Sequence, residues 1–393
     1  MPKLGKIRKR WGIFLIFICL WGMLSGWVIY KRRMYIWLWD YIQGRVYNLF
    51  SKRQIAPKHI IFCFVDHFEP YFNTDDDKVA EERVKMWWSE YPRIASKHKD
   101  ADGNPPQHTW FYPEEMIEKN PSLLKYLIDL ERKGYGEIEM HLHHQDDTEN
   151  SFRKKIIHFK ETIGYLEKGK TREHFAYIAG NWALDNSRLE RGKNYSGVNN
   201  ELIVLNQEGC FADFTFPSIG QLSQPAKVNS IYYAKDDPLK PKSYNRGKDV
   251  KVGGSSYGDL LIIEGPLAIT WYYFWKKFRP SIDDGNICDT YLPFKERVDT
   301  WVKCNIHVKG RPEWIFIKIF THGCEDKTIP VVLGKPIDEM FTYLETKYND
   351  GKKYILHYVT AREMYNIIKA AEAGLKGNPD KYRDFIIKPY IRR

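Results

Sequence analysis

From residue 58 onward, short apolar runs of strand length alternate with longer stretches whose apolar residues recur at helical spacing. Residues 60–65 (IIFCFV) are continuously apolar and rich in β-formers, the pattern of a strand buried on both faces, as in a parallel sheet. Residues 78–98 follow with helical periodicity, 107–112 (QHTWFY) reads as a strand, and 121–133 as a helix with Pro at its first position. The alternation continues through strands 137–143, 175–179, 211–216, 260–263, 315–320 and 354–358, with helices 152–168, 198–209, 292–305, 337–348 and 361–373. The last helix is the best marked, because Thr360 and Glu363 form a capping box and Gly374 stands at its stop. Polar residues 218–258, punctuated by Pro and Gly, suit a rim insertion. Seven or eight such alternations predict an α/β fold, a distorted parallel (β/α)7–8 barrel.

The segment before residue 58 has a different pattern. Residues 11–30 form an apolar run of twenty in which only Ser25 is plainly polar, long enough to span a hydrocarbon core as a helix. Lys3, Lys6, Arg8, Lys9 and Arg10 precede it and Lys31, Arg32 and Arg33 follow, a bias that places the N-terminus inside and the bulk of the chain outside. No small-x-small cleavage site closes the run, so an uncleaved signal anchor is expected over 1–33. Residues 34–50 are rich in Trp and Tyr but broken by Asp40, Gln43 and Arg45, which suits a helix lying among headgroups, with a linker to 57. The expectation is a single-pass, membrane-anchored protein whose barrel, 58–393, is extracytoplasmic, either periplasmic or at the cell surface.

Charge sharpens this picture. The formal net charge is +11, yet residues 1–53 carry eleven Lys/Arg against Asp40 alone, leaving 50 basic and 49 acidic residues for the remainder. A domain without net positive charge gains little from phosphate attraction, so nucleic acid is excluded as a partner. The six cysteines show no CxxC and no paired spacing, which suggests neither a zinc knuckle nor a disulfide framework.

In a parallel barrel the reacting groups gather at the carboxyl ends of the strands. Those ends here carry Asp66, His67 and Glu69; His141, His143 and His144; Asn181 and Trp182; Asp213; Glu264; and His322. Alternation puts His141 and His143 on one side of their strand, and His144 can turn inward where the strand ends, giving half of a divalent-metal site. The missing ligand is expected from Asp66, His67 or Glu69, and zinc or a related first-row metal accepts such a set while keeping a water. Asp66 either ligates or acts as base, His322 is the candidate acid across the mouth, and Asp213 is placed to orient it. Trp110, Tyr112 and Trp182 suit sugar stacking, with Glu69, Asn181 and Glu264 as further substrate contacts.

Taken in order, these segments resemble the NodB-like polysaccharide deacetylases, carbohydrate esterase family four, over about residues 58–360. FVDHFEP looks like the family's Thr-Phe-Asp-Asp-Gly motif, with Asp66 at the base and His67 where the metal-binding Asp is expected. EIEMHLHHQ is similar to the His-x-x-x-His motif through His141, but Gln145 stands where the second histidine belongs, so His143 or His144 must substitute. FTH resembles the Leu-x-His motif with His322 as general acid, and Asp213 in FADFTFPS takes the place of the fourth motif's Asp. The third motif's Arg and Pro are replaced by GNWALDNS at 180–187. The resemblance implies metal-assisted removal of an N- or O-acetyl group from a cell-surface or exported glycan, with zinc as cofactor. Two other readings compete: a glycoside hydrolase using Asp66, Glu69 or Glu264 as an acid/base pair, and a non-catalytic glycan-binding or assembly protein on the same barrel.

Overall fold

A computed structural model describes residues 26–50, 57–143, 145–190, 193–195, 197–274 and 277–391. Most of the expected span at 11–30 falls outside these residues, as does His144; residues 26–31 are helical. Among the described residues no helix is long and apolar enough to cross a membrane. The aromatic segment forms a 3-10 turn, Met34–Ile36, and helix α1, Leu38–Phe50. One side of this segment packs on the rest of the chain. Met34 and Trp37 are buried against Val228 and Leu267, Asp40 Oδ2 accepts from the Val228 amide at 3.0 Å, and the Ile269 amide donates to Tyr41 Oη at 3.1 Å. Tyr35, Trp39, Ile42 and Val46 remain exposed on its other side.

The predicted alternation is present. Strand β1 (Lys58–His67) leads to α2 (Asp77–Ala95), β2 (His108–Pro113) to the short α3 (Glu114–Lys119) and α4 (Leu124–Arg132), and β3 (Gly136–Leu142) to α5 (Glu149–Lys168). Then come β4 (Phe175–Ala179), a small hairpin of β5 (Leu189–Glu190) and β6 (Lys193–Asn194), α6 (Glu201–Gln207) and β7 (Cys210–Asp213). The polar stretch expected to be a rim loop supplies β8 (Ile231–Ala234) and β9 (Lys248–Asp249), which extend the sheet antiparallel beside β10 (Leu260–Ile263). A long hairpin, β11 (Ala268–Phe274) and β12 (Lys277–Asp283), precedes β13 (Asn286–Ile287) and α7 (Lys295–Cys304). Then follow β14 (Trp314–Thr321), α8 (Ile329–Val332), α9 (Lys335–Tyr348), β15 (Tyr354–Val359) and α10 (Ala361–Glu372), and after them a 3-10 turn, Pro379–Tyr382.

Eleven strands form one mixed sheet, parallel from β13 through β14, β1, β2, β3, β4 and β7 to β10, with β15 beside the first half of β1 and β2 beside its second half. Strand alternation sorts the side chains into two cores. Ile60, Phe62, Phe64, Trp110, Tyr112, Ile138 and Met140 face an outer layer of helices. Ile61, Cys63, Val65, Phe111, Ile178, Phe214 and Phe316 face the interior, where they meet Met364, Ile367 and Ile368 of α10. That helix therefore packs inside the curled sheet, its cap made by Thr360 and Glu363 as the sequence indicates.

Among the described residues no ladder joins β14 to β10. Lys318, the one charged residue in WIFIKIF, is buried, and its Nζ donates to the Phe214 and Phe216 carbonyls at 2.8 and 2.5 Å, tying β14 to the segment that follows β7. Burial pulls its pKa down to about 8.

Candidate metal centre

The cleft opens at the carboxyl ends of β1, β3, β4 and β14, and His67, Glu69, His143, Asn181, Trp182 and His322 are among the residues lining its volume of about 370 Å³. Its geometry follows from the same alternation. On β1, His67 is an inward position and Asp66 an outward one; on β3, His141 points inward with Glu137 and Glu139.

Three side chains bring ligand atoms within 4.8 Å of one another: Glu69, His141 and His143. His141 is fully buried, and its Nδ1 lies 2.9 Å from the Ile178 carbonyl, which fixes the tautomer and leaves Nε2 with a lone pair. That Nε2 is 3.5 Å from Glu69 Oε1 and meets no hydrogen-bond partner among the described residues. His143 Nε2 is 3.0 Å from the same oxygen, and its Nδ1 is 2.7 Å from Glu115 Oε1. Burial disfavours charge on His143, but the carboxylates of Glu115 and Glu69 more than reverse this and lift its pKa to about 10. Burial works against the Glu69 carboxylate as well, and the two imidazoles beside it hold its pKa well below the usual range. Two imidazoles and one carboxylate, backed by a carbonyl and a second carboxylate, form a donor set that could hold a divalent metal ion.

Beside the donors, the His67 ring stacks on His322 at 4.6 Å and meets His141 edge-on at 5.0 Å. Of the expected ligands, His141 and His143 fall in this set of close donors together with Glu69, while His67 packs beside His141 and is outside the set; His322, the expected acid, lies against His67. Burial, then the neighbouring His322 and His141, push the His67 pKa well below its ordinary value. Trp182 closes the side, with its ring 5.9 Å from His67 and 5.7 Å from His322. Asn181 and Trp182 both have left-handed backbones, φ 55° and 52°. This conformation is uncommon for a bulky aromatic and is held against local preference. Gly180 before them is required by crowding, since a Cβ there would lie 2.5 Å from the Leu142 carbonyl oxygen and 2.6 Å from the His143 ring.

Several expected site residues lie elsewhere. Asp66 is fully buried on the helix-facing side, where Oδ1 accepts from the Gly323 amide at 2.7 Å and Oδ2 is 3.1 Å from His108 Nε2. A Cβ on Gly323 would come within 2.1 Å of that carboxylate. Asp213 gives both oxygens to Thr215, and burial pushes its pKa up to about 7; its hydrogen bonds do not reach His322. Glu264 is buried and accepts from the Ser230 amide, with burial raising its pKa well above the ordinary value. Trp110 and Tyr112 are fully buried in the outer core and do not line the cleft.

The structure adds residues that the sequence did not single out. Phe72, Asn286, Cys288, Asp289 and Glu325 also line the cleft. Arg83, buried on α2, donates to the Pro70 and Phe72 carbonyls at 2.8 Å each and pairs with Asp326 at 2.8 Å, tying the loop of Glu69 to the loop of His322. Only Glu115 carried a signal, as an acid directly after a predicted strand.

No protein-family profile matches the chain, and no curated protein matches it. Among solved structures, it is similar to a Parabacteroides distasonis protein provisionally assigned as a glycoside hydrolase/deacetylase, at 11% identity and a TM-score of 0.43, over 78% of this chain and 71% of that one. It is also similar to 4-alpha-glucanotransferase from Thermococcus litoralis, at 12% identity and a TM-score of 0.40, over 77% of this chain and 39% of that one.

Proposed function

We propose that this protein is a metal-dependent hydrolase that removes acetyl groups, N-acetyl foremost, from a glycan, and that it is held at a membrane by its N-terminal apolar run. The observation that carries the reading is the buried set of Glu69, His141 and His143, in which one imidazole nitrogen faces two neighbouring donors and has no hydrogen-bond partner among the described residues. A divalent ion held there, zinc foremost, would supply Lewis acidity for the acetyl carbonyl and acidify water.

The chain's own residues do the rest. Trp182 offers a face for a sugar ring at the cleft wall. His67 takes a proton from the attacking water, and half-exposed His322 gives one to the departing amine, so that water's oxygen joins the carbonyl carbon as the C–N bond breaks. Glu115 holds the ring of His143 in place. Of the carboxylates named for a glycosidase, Asp66 and Glu264 lie outside the cleft lining and Glu69 sits between two imidazoles, which leaves Asp289 and Glu325 as the lining acids for that alternative.

The test measures zinc content and acetate release on N-acetylated oligosaccharides. His141→Ala is expected to lose both, whereas His67→Ala keeps the metal and loses turnover by about a hundredfold or more. Acetate release at the wild-type rate by His141→Ala would overturn the reading. Newly formed reducing ends without acetate would mark a glycosidase, and binding without either product a glycan-binding protein.

A further inference from the structure

A second cavity adjoins the cleft. It encloses about 390 Å³, within the range of roughly 300–1,000 Å³ typical of small-ligand sites; Val28, Met34, Ile219, Ile269 and Ile282 make its apolar walls, and Asp284 lines it at the end next to Asn286. Asn286 on β13 lines both this groove and the candidate cleft, so the two are neighbours that meet at this residue. One wall is the segment that continues the twenty-residue apolar run, and the other is the β11–β12 hairpin. Arg32 stands in the lining, and Lys31 and Arg33 flank it in sequence. Around the groove, Trp27, Tyr30, Tyr35, Trp39 and Trp271 are all more than half exposed. Such an aromatic belt suits the headgroup layer of a bilayer, and clustered cations beside an apolar slot suit an anionic lipid head with its chain.

We infer that the substrate is a lipid-linked glycan: its hydrocarbon chain lies in the groove between residues 28–34 and the hairpin, its charged linkage faces Arg32, and its first sugars pass Asn286 into the cleft. The inference rests on the proposed deacetylase reading for the chemistry, while the groove stands on its own geometry. An apolar chain seated among the isoleucines gains from every methylene removed from water, and a glutamate placed at Ile269 or Ile282 opposes it; Asp284 is already in the lining, where burial pushes its pKa up to about 6 and disfavours its charge.

Two measurements on the full chain in detergent micelles separate the claims. Binding of a fluorescent long-chain alkyl phosphate is expected for the wild type, to be weakened about tenfold or more in Ile282→Glu and Ile269→Glu, and to persist in His141→Ala. Acetate release is then compared on one N-acetylated oligosaccharide, lipid-linked and free. The wild type is expected to prefer the linked form by about tenfold in kcat/KM, a ratio that collapses toward one in Ile282→Glu. Equal probe binding by wild type and groove variants, each confirmed folded by thermal melting, would overturn the groove. Equal rates on the two substrates would overturn the substrate class. Probe binding that follows the groove variants without acetate release from any substrate would sink the deacetylase reading and leave the lipid site standing.

Discussion

At the scale of single residues, the side of the strand on which a group falls decided its role. Asp66 and His67 are neighbours at the end of an all-apolar strand, and sequence alone does not say which of them faces inward. The interior takes the odd positions of β1, so the imidazole enters the pocket while the carboxylate meets His108 and the Gly323 amide outside it. Asp66→Ala is therefore expected to leave two buried donors unpaired, at a cost of about 1–3 kcal/mol each, seen as a lower urea midpoint with zinc content intact. Unchanged stability with turnover abolished would instead return Asp66 to the part of general base. His141 and His143 were legible because they are two apart on one strand, so either parity keeps them together. Trp110 and Tyr112 were not, because an aromatic near a strand end reads the same whether it faces sugar or a helix.

At the scale of elements, strands and helices with strong periodicity were legible to within a few residues, and the capping box at Thr360 is the clearest case. Its hydroxyl accepts from the Glu363 amide and donates to Glu137 Oε2 at 2.6 Å, linking α10 to β3. Thr360→Ala is expected to destabilise the fold by about 1–2 kcal/mol in equilibrium urea unfolding, and a change within error would show that the cap is redundant. What sequence hid were elements made by pairing alone. Strands β8, β9 and β13 are two to four residues long, and each gains its shape from a partner far along the chain. The β11–β12 hairpin carries the same aromatic signature as a buried segment, yet its described residues Ile269 and Trp271 are exposed.

At the scale of the whole molecule, the alternating pattern correctly foretold a large, mostly parallel sheet wrapped by helices. It could not foretell that a buried lysine would tie β14 to the segment after β7, or that the last helix would sit inside. A metal bound only by the folded chain adds stability by mass action, so stripping it with a chelator is expected to lower Tm by on the order of 5 °C, with recovery on adding zinc. An identical melt with and without chelator would argue that the donors hold no ion. The guanidinium of Arg83 bears on how such an ion would be felt. It reaches two carbonyls of the loop bearing Glu69 and a carboxylate of the loop bearing His322, like one pin through two hinges. Under the proposed reading, an ion that draws the loop of Glu69 inward would pull on the loop of His322 through this one guanidinium, whose bond to the exposed Asp326 is the weaker end of the link.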